Sequence, residues 1–484
     1  MKNEAIAGID DFYTKKIKKI PLRDIRRCPA DMPIFEVARV MAHDKISCVF
    51  IMDAQSKLIG FVSDITLRDE VIAKQRSLNG PVRDVMDTSI ISVSSDAYVY
   101  EALLLMFQTK TRYLLVEQMG KFIGMVSRNK ILTEPSHSPF IFIQSVKQAG
   151  NKEELQKKWA KVPQIVFQLI QRGVRAELIN QIISTVADTI ILRVIENVLK
   201  EKGDAPAKFV FFILGSEGRM EQTLKTDQDN AIIYEDKANE HRESVREFFL
   251  SFAKEVSERL DYIGFAFCTG GFMAQNPSWT HSLSHWKNNY ERWFVESSPE
   301  TVMNYATFFD CRAIYGDFSL LDQLKDFMVE QLENPLERFF FNMAQNALKF
   351  DPQLTWLKNI RTFKIENEEV FDIKKAMSPM VEAIRIYALR EKIFETNTGR
   401  RLKELTERNV FDKESASELY QAYYYLMALR LEKQAERIIE EKKPAQNYIP
   451  IRSITKVQAA TLRQIFKVIK DLQLKIKIEF TKSF

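Results

Sequence analysis

The chain holds only four cysteines, Cys28, Cys48, Cys268 and Cys311, and none belongs to a Cys-x-x-Cys pair. That scatter excludes a zinc ribbon or a disulfide framework, and the thiols read as reduced and mostly buried. Long apolar runs are missing too. No stretch of about 18 uncharged apolar residues occurs, so no membrane span is expected. Met1 to Ile20 alternates charge with short apolar pieces and lacks the apolar core of a signal peptide. These absences point to a cytoplasmic protein. Nor does charge of one sign dominate: 70 basic residues against 65 acidic ones leave +5. For so long a chain that excess is too thin to imply a nucleic-acid partner. With 45% hydrophobic and 28% charged residues the composition is that of a globular protein rather than a disordered one. Its 484 residues suggest about three domains.

What is present begins with a degenerate repeat over residues 21–134, in copies 21–80 and 81–134. The copies open on Pro21-Leu22-Arg23-Asp24-Ile25 and Pro81-Val82-Arg83-Asp84-Val85-Met86. Each passes through a helical pattern into two β-rich runs around a polar turn, SCVFIMDAQSKLIGFVS and YLLVEQMGKFIGMVS. Each then ends in a helix, Asp64 to Lys74 or Arg128 to Thr133, giving the order βαββα twice. The repeat resembles a tandem pair of cystathionine-β-synthase (CBS) domains. That resemblance implies a module that dimerises and takes an adenine nucleotide. In nucleotide-binding members Gly-h-h-Thr/Ser-x-x-Asp closes the motif, and its Asp holds the ribose hydroxyls. Here Thr66 and Lys130 stand at the Asp position. Neither a hydroxyl nor a cation replaces a carboxylate accepting two hydroxyl bonds. Two readings stay open, a homodimerisation or spacer module without ligand and a sensor of an adenine nucleotide.

Residues 151–200 carry helical periodicity through Ile165, Leu169, Leu178, Ile182, Val186, Ile190 and Val194, and read as a helical connector closed by the stop KEKGDAP. Residues 205–325 look α/β. Residues 330–484 read as an α-helical domain with stripes such as Leu462, Ile465, Phe466, Ile469 and Leu472, ending in KIKIEFTKSF as a short strand or tail.

The chemistry-bearing stretch is KFVFFILGSEGRMEQTLKTDQDNAIIYED, Lys208 to Asp236. Phe209 to Leu214 has the length and composition of a buried strand. Gly215 permits close backbone approach to a ligand, and Ser216 is a natural N-cap for a helix over Glu217 to Leu224. A strand ending at a helix N-terminus suits a phosphate chain, and Arg219 can add its planar fork of donors. Asp227 and Asp229 precede the strand AIIY at period-2 spacing, which sets both carboxylates on one side. Paired carboxylates opposite a phosphate loop suit Mg2+, which takes hard oxygen ligands and neutralises charge as pyrophosphate leaves.

This order resembles the polymerase-β-like nucleotidyltransferase superfamily. The string GSEGRMEQTLKTDQDNAIIY resembles more closely a family related to PII uridylyltransferases that carries CBS pairs upstream. That family also shows Gly-Gly-x-Met-Ala-x-Asn-Pro-x-Trp, here Gly270 to Trp279, and a helical substrate-binding domain downstream. Many members carry a further N-terminal cyclic-nucleotide-binding domain, for which Met1 to Ile20 is expected to leave no room. The resemblance implies a fold of α/β plus α type: a CBS pair, a polymerase-β-like α/β domain and an α-helical C-terminal domain. It implies Gly215, Ser216 and Arg219 on an NTP, with Asp227 and Asp229 on Mg2+. The superfamily's third carboxylate is missing from the aligned strand, Gly264 to Cys268; Asp310 is the substitute candidate. Two functions follow. One is transfer of an NMP from NTP to a protein or small-molecule acceptor. The other is a non-catalytic, nucleotide-sensing signalling protein with a degenerate site. His281 and His285, at i, i+4 spacing but without the Glu of HExxH, read as structural. Tyr423-Tyr424-Tyr425 reads as core and surface.

Overall fold

The computed structural model of the chain describes residues 15–109, 111–132, 138–236, 242–298, 302, 305–350, 354, 359–365 and 367–481. Most of the Met1 to Ile20 segment, and Thr133, lie outside the described residues. The chain divides into two compact units, Met1–Phe142 and Ile143–Phe484.

In the first unit each repeat copy builds a three-stranded sheet. Strands β1 (Arg27–Pro29), β2 (Cys48–Met52) and β3 (Leu58–Ser63) form one; β4 (Ser92–Ser94), β5 (Tyr113–Gln118) and β6 (Lys121–Ser127) form the other. In each, the short first strand runs parallel to the middle one and the hairpin is antiparallel. The helices Ile34–His43 and Val99–Gln108 fill the connections, so the βαββα order holds twice. The closing helices are shorter than expected. Asp64–Thr66 continues into wider turns over Leu67–Ile72, and the second closing helix is Arg128–Leu132.

The repeated Gly of Gly-h-Val-Ser has a packing reason. Each copy's opening segment crosses the hairpin of the other copy. Arg23 pairs with Met125 through reciprocal backbone bonds, and Asp87 pairs with Phe61 in the same way. A Cβ on Gly124 would lie 2.9 Å from the Leu22 Cβ, and one on Gly60 2.7 Å from the Asp87 carbonyl oxygen. Only glycine admits the crossing chain. Cys48, Phe50, Phe61, Tyr113, Leu115 and Met125 form one buried cluster from both sheets, and Tyr113 Oη donates to Ser47 Oγ at 2.9 Å.

The second unit centres on a four-stranded sheet ordered β10-β7-β8-β9. Strands β7 (Phe209–Ile213) and β8 (Asn230–Tyr234) are antiparallel and wholly buried, as a continuous apolar run requires. Strand β9 (Thr280–Ser282) runs parallel to β8, and β10 (Arg312–Gly316) antiparallel to β7. Phe249 and Phe252 of the helix Arg242–Ile263 pack on Phe209. Trp286 of the helix Leu283–Val295 packs edge-on to Phe212 and donates to the Ile232 carbonyl at 2.8 Å. The connector region forms the helices Lys152–Trp159, Val162–Gln171 and Ala176–Lys202. Among the described residues the last alone is long and apolar enough to cross a membrane, and 83% of its most apolar window is buried within the protein.

Three expectations need correction here. The C-terminal region is not purely helical: β11 (Phe363–Ile365), β12 (Glu368–Asp372) and β13 (Tyr448–Pro450) make a small antiparallel sheet. Pro444 and Pro450 keep the chain extended after the helix Lys413–Ile439, and extended backbone needs a partner. The closing segment is no strand but the end of the helix Lys456–Thr481, because Ile469, Leu472 and Ile476 keep helical spacing on a buried face. Gly264 to Cys268 makes a single bridge, Asp227 to Ala266, rather than a strand.

A Gly60→Ala change is expected to destabilise the CBS unit by about 1–3 kcal/mol through overpacking. Scanning calorimetry should show one transition lowered and the other unmoved.

Candidate functional site

At the end of β7 the backbone turns sharply. Gly215 takes φ +57°, and a Cβ there would lie 2.9 Å from Asp229 Oδ2 and 3.1 Å from Thr307 Oγ1. A single helical turn, Gly215–Gly218, follows, capped by Leu214 rather than Ser216. The expected helix to Leu224 does not form. Gly218 packs so tightly on the Asp310 carbonyl that a Cβ would lie 1.8 Å from it, and Met220 takes φ +57° to turn the chain away. Gly215 and Ser216 both line an open cavity of about 190 Å³.

Asp227 and Asp229 line the same cavity. Extended backbone places alternate residues on opposite sides. Gln228 accordingly points inward, its Nε2 donating to the carbonyls of Phe265 and Ser257 at 2.8 and 3.0 Å. The Gln228 amide donates to the Ala266 carbonyl, which draws the following residues alongside. A carboxylate oxygen of each aspartate and the Cys268 sulfur thus lie within 4.8 Å of one another. Burial first, then the charge of Asp227, holds the Asp229 carboxyl above the usual range. Beneath them Glu217 is fully buried, pushed well up by burial and then by Asp229, and accepts from Gln222 Nε2 at 2.7 Å.

The opposite wall comes from the helices Ile373–Arg390 and Lys413–Ile439, through Lys374, Glu382, Arg385, Tyr423 and Arg430. Lys225 and Lys374 are exposed. Arg430 is buried, which lowers its pKa to about 10, and its Nε donates to Asn447. Lys225, Lys374 and Arg430 carry no classification-bearing motif, and the sequence reading missed them.

Two expected site residues are placed differently. Asp310 is 0% exposed and absent from the cavity wall. Its Oδ1 accepts from Arg385 and Arg401 at 3.1 and 2.6 Å, its Oδ2 from Arg385 and Arg219 at 2.5 and 2.6 Å. Burial alone would raise its pKa, but the three guanidiniums outweigh that and hold it far below the carboxylate range. Both oxygens being taken, Asp310 does not join Asp227 and Asp229. Arg219 reaches the cavity, yet it is bound to Asp310 and, at 2.7 Å, to Glu221. The short turn aims it across to the helices rather than along the cleft.

The Gly270 to Trp279 segment braces this edge. Asn276 Nδ2 and Trp279 Nε1 donate to the Gly271 carbonyl at 3.1 and 3.0 Å, and Asn230 Oδ1 accepts from the Ala274 amide. His281 lies in β9 and not on a helix; its ring stacks on His285 at 3.7 Å. Burial, His285 and Arg246 lower its pKa to about 3.

Asp310→Asn would leave three guanidiniums short of their counter-charge, and is expected to cost about 3–5 kcal/mol in urea denaturation. Because Asp229 is raised above its unfolded value, its ionisation opposes folding, and stability falls as pH rises through the folded value. Asp229→Asn should therefore raise the Tm of metal-free protein at about pH 8, with the gain vanishing at about pH 3, below both values.

Comparison with known proteins agrees with these units. Residues 160–300 match the family described as "Putative nucleotidyltransferase DUF294". Residues 337–480 match "Putative nucleotidyltransferase substrate binding domain", and residues 17–73 and 82–137 match "CBS domain". The CBS domain-containing protein CBSCBSPB5 of Arabidopsis thaliana is 32% identical over 119 residues, 24% of this chain and 22% of the relative. The chain thus spans about a fifth of that relative's length. An uncharacterized 17.7 kDa protein of Acidianus ambivalens is 26% identical over 114 residues, 23% of this chain and 68% of the relative. Among solved structures, a CBS domain protein from Pyrobaculum aerophilum complexed with AMP is 19% identical, covering 25% of this chain and 93% of that one, at a TM-score of 0.24. The chain thus carries a CBS pair ahead of a segment that matches the family described as "Putative nucleotidyltransferase DUF294", with a match to the substrate-binding domain behind it.

Proposed function

We propose that the chain is a divalent-cation-dependent nucleotidyltransferase of polymerase-β-like architecture, moving an NMP from an NTP to a protein or small-molecule acceptor. The observation that carries this reading is the pairing of opposite walls. Two carboxylates converge at one side of the cleft, and Lys225, Lys374 and Arg430 line it too. Cations and a metal-binding acid pair in one cleft suit a polyphosphate.

The donor set fits a divalent cation, since Asp227 and Asp229 bring oxygens within 4.8 Å of each other and their crowding strains them without one. Mg2+ is the ion of the sequence reading. Bound there, a divalent cation would neutralise charge developing on the α-phosphate and leaving pyrophosphate. Gly215 and Ser216 border the phosphates. Lys374 and Arg430 offset the charge on the leaving group. Arg219, held by Asp310 and Glu221, fixes the turn and positions the aspartates' neighbour rather than binding phosphate itself. The domain assignment follows: residues 151–200 as connector, 205–325 as transferase and 330–484 as the acceptor-shaping part.

The CBS pair is assigned a regulatory and homodimerising role, with an adenine nucleotide as its candidate ligand. Against a ribose contact at Thr66, its hydroxyl is already engaged with Ser63, at 3.0 Å to the hydroxyl and 3.2 Å to the amide.

A second reading, a nucleotide-sensing protein without catalysis, is favoured by one observation: the third side chain beside Asp227 and Asp229 is the Cys268 thiol rather than a carboxylate. Incubation with α-labelled NTPs and lysate separates the two. The first reading expects a labelled product, lost by at least about 10²-fold in Asp227→Asn/Asp229→Asn, the scale of several kcal/mol of lost charge stabilisation. Cation-dependent NTP binding in calorimetry without pyrophosphate release would support the second, and no binding would remove both.

A further inference from the structure

The third corner of the acid pair is Cys268, and its surroundings treat it as a ligand atom rather than as core filling. Cys28, Cys48 and Cys311 are buried; Cys268 alone is half-exposed. It reaches the aspartates because the Asp227 to Ala266 bridge and the Gln228 amide fix the chain two residues earlier. Its sulfur faces Asp229, and burial, then the Asp229 charge, push the thiol up to about 11. The turn that follows closes with the Gly271 amide on the Cys268 carbonyl at 3.0 Å and needs φ +71° at Gly271. Asn276 and Trp279 then pin the Gly271 carbonyl. Binding of a divalent cation would displace the thiol proton, because the thiolate is the form that ligates a metal.

We infer that Cys268 is the third protein ligand of the cation held by Asp227 and Asp229, so that the site prefers a borderline divalent ion such as Co2+ or Zn2+ over Mg2+. The inference rests on the transferase reading and names the metal that site selects. Two carboxylate oxygens and a sulfur within 4.8 Å of one another span the coordination shell of one ion. Mg2+ takes oxygen ligands and octahedral geometry, whereas a thiolate favours softer ions. Cys268 is therefore the selectivity element of the site.

Titration of the purified full chain with Co2+ tests this without any turnover. The expected result is a sulfur-to-cobalt charge-transfer band in the near ultraviolet that is lost in Cys268→Ser, with Co2+ affinity falling about 10–100-fold or more, the scale seen when a metal site's supporting shell is broken. Cys268→Asp is expected to lose the band while raising Mg2+ affinity relative to Co2+. Alkylation by iodoacetamide, read by peptide mass on the wild type, supplies a measurement independent of variant folding: Co2+ or Zn2+ should protect Cys268, and EDTA should restore its reactivity. Co2+ binding with no charge-transfer band and no protection of Cys268 overturns the inference. If that binding is nonetheless abolished by Asp227→Asn/Asp229→Asn, the transferase site itself stands. Absence of binding by any of these ions, with or without NTP, overturns both.

Discussion

The second unit depends on one buried carboxylate. Asp310 meets three guanidiniums, from the turn after β7 (Arg219) and from the helices Ile373–Arg390 (Arg385) and Thr398–Glu407 (Arg401). Glu221 and Glu382 complete the balance by accepting from Arg219 and Arg385. Three cations thus face three anions, with Asp310 and Arg401 fully buried at the centre. Separating such charges without a substitute partner is expensive, so the helices have one permitted position over the sheet edge. The contact extends into backbone: Arg401 also donates to the Phe309 carbonyl, and Glu221 accepts from the Thr398 amide at 2.7 Å. The cleft is the space this lock leaves open.

Within that cleft the charges are arranged the other way. Asp227, Asp229 and the buried Glu217 crowd together without an opposing guanidinium on their own wall. The lock is satisfied internally, while burial and the neighbouring Asp227 charge leave the Asp229 carboxyl raised. Proteins accept such local cost at sites that bind something. The contrast between two acidic centres, one neutralised by arginines and one not, separates Asp310 from the proposed cation pair more sharply than proximity in sequence does.

The first unit shows the same logic applied to backbone. Reciprocal crossing of the opening segments over Gly60 and Gly124 makes each repeat copy incomplete without the other. The shared apolar cluster of Phe50, Phe61, Tyr113 and Leu115 has no equivalent in a single copy. Pairing is thus built into the chain as one folding unit.

Much was legible from residue order. Periodicity located the repeat, the long connector helix and the buried strands, because burial of a strand or helix face imposes a spacing on apolar residues. The Gly-Ser turn and the Asp-x-Asp pair were legible because local backbone geometry decides which way alternate side chains point. The identity of Asp310's partners was not, since Arg219, Arg385 and Arg401 lie far apart in sequence and only packing brings them together. Cys268 was visible merely as a missing acid; that its sulfur meets the aspartates depends on a single bridge at Ala266. Sequence alone determined the elements and the acid pair, through short-range sterics and patterning. Tertiary structure decided which charges are paired and which are left to face the cleft, because electrostatic partnership depends on distance through space and on exclusion of water, and neither is written in local order.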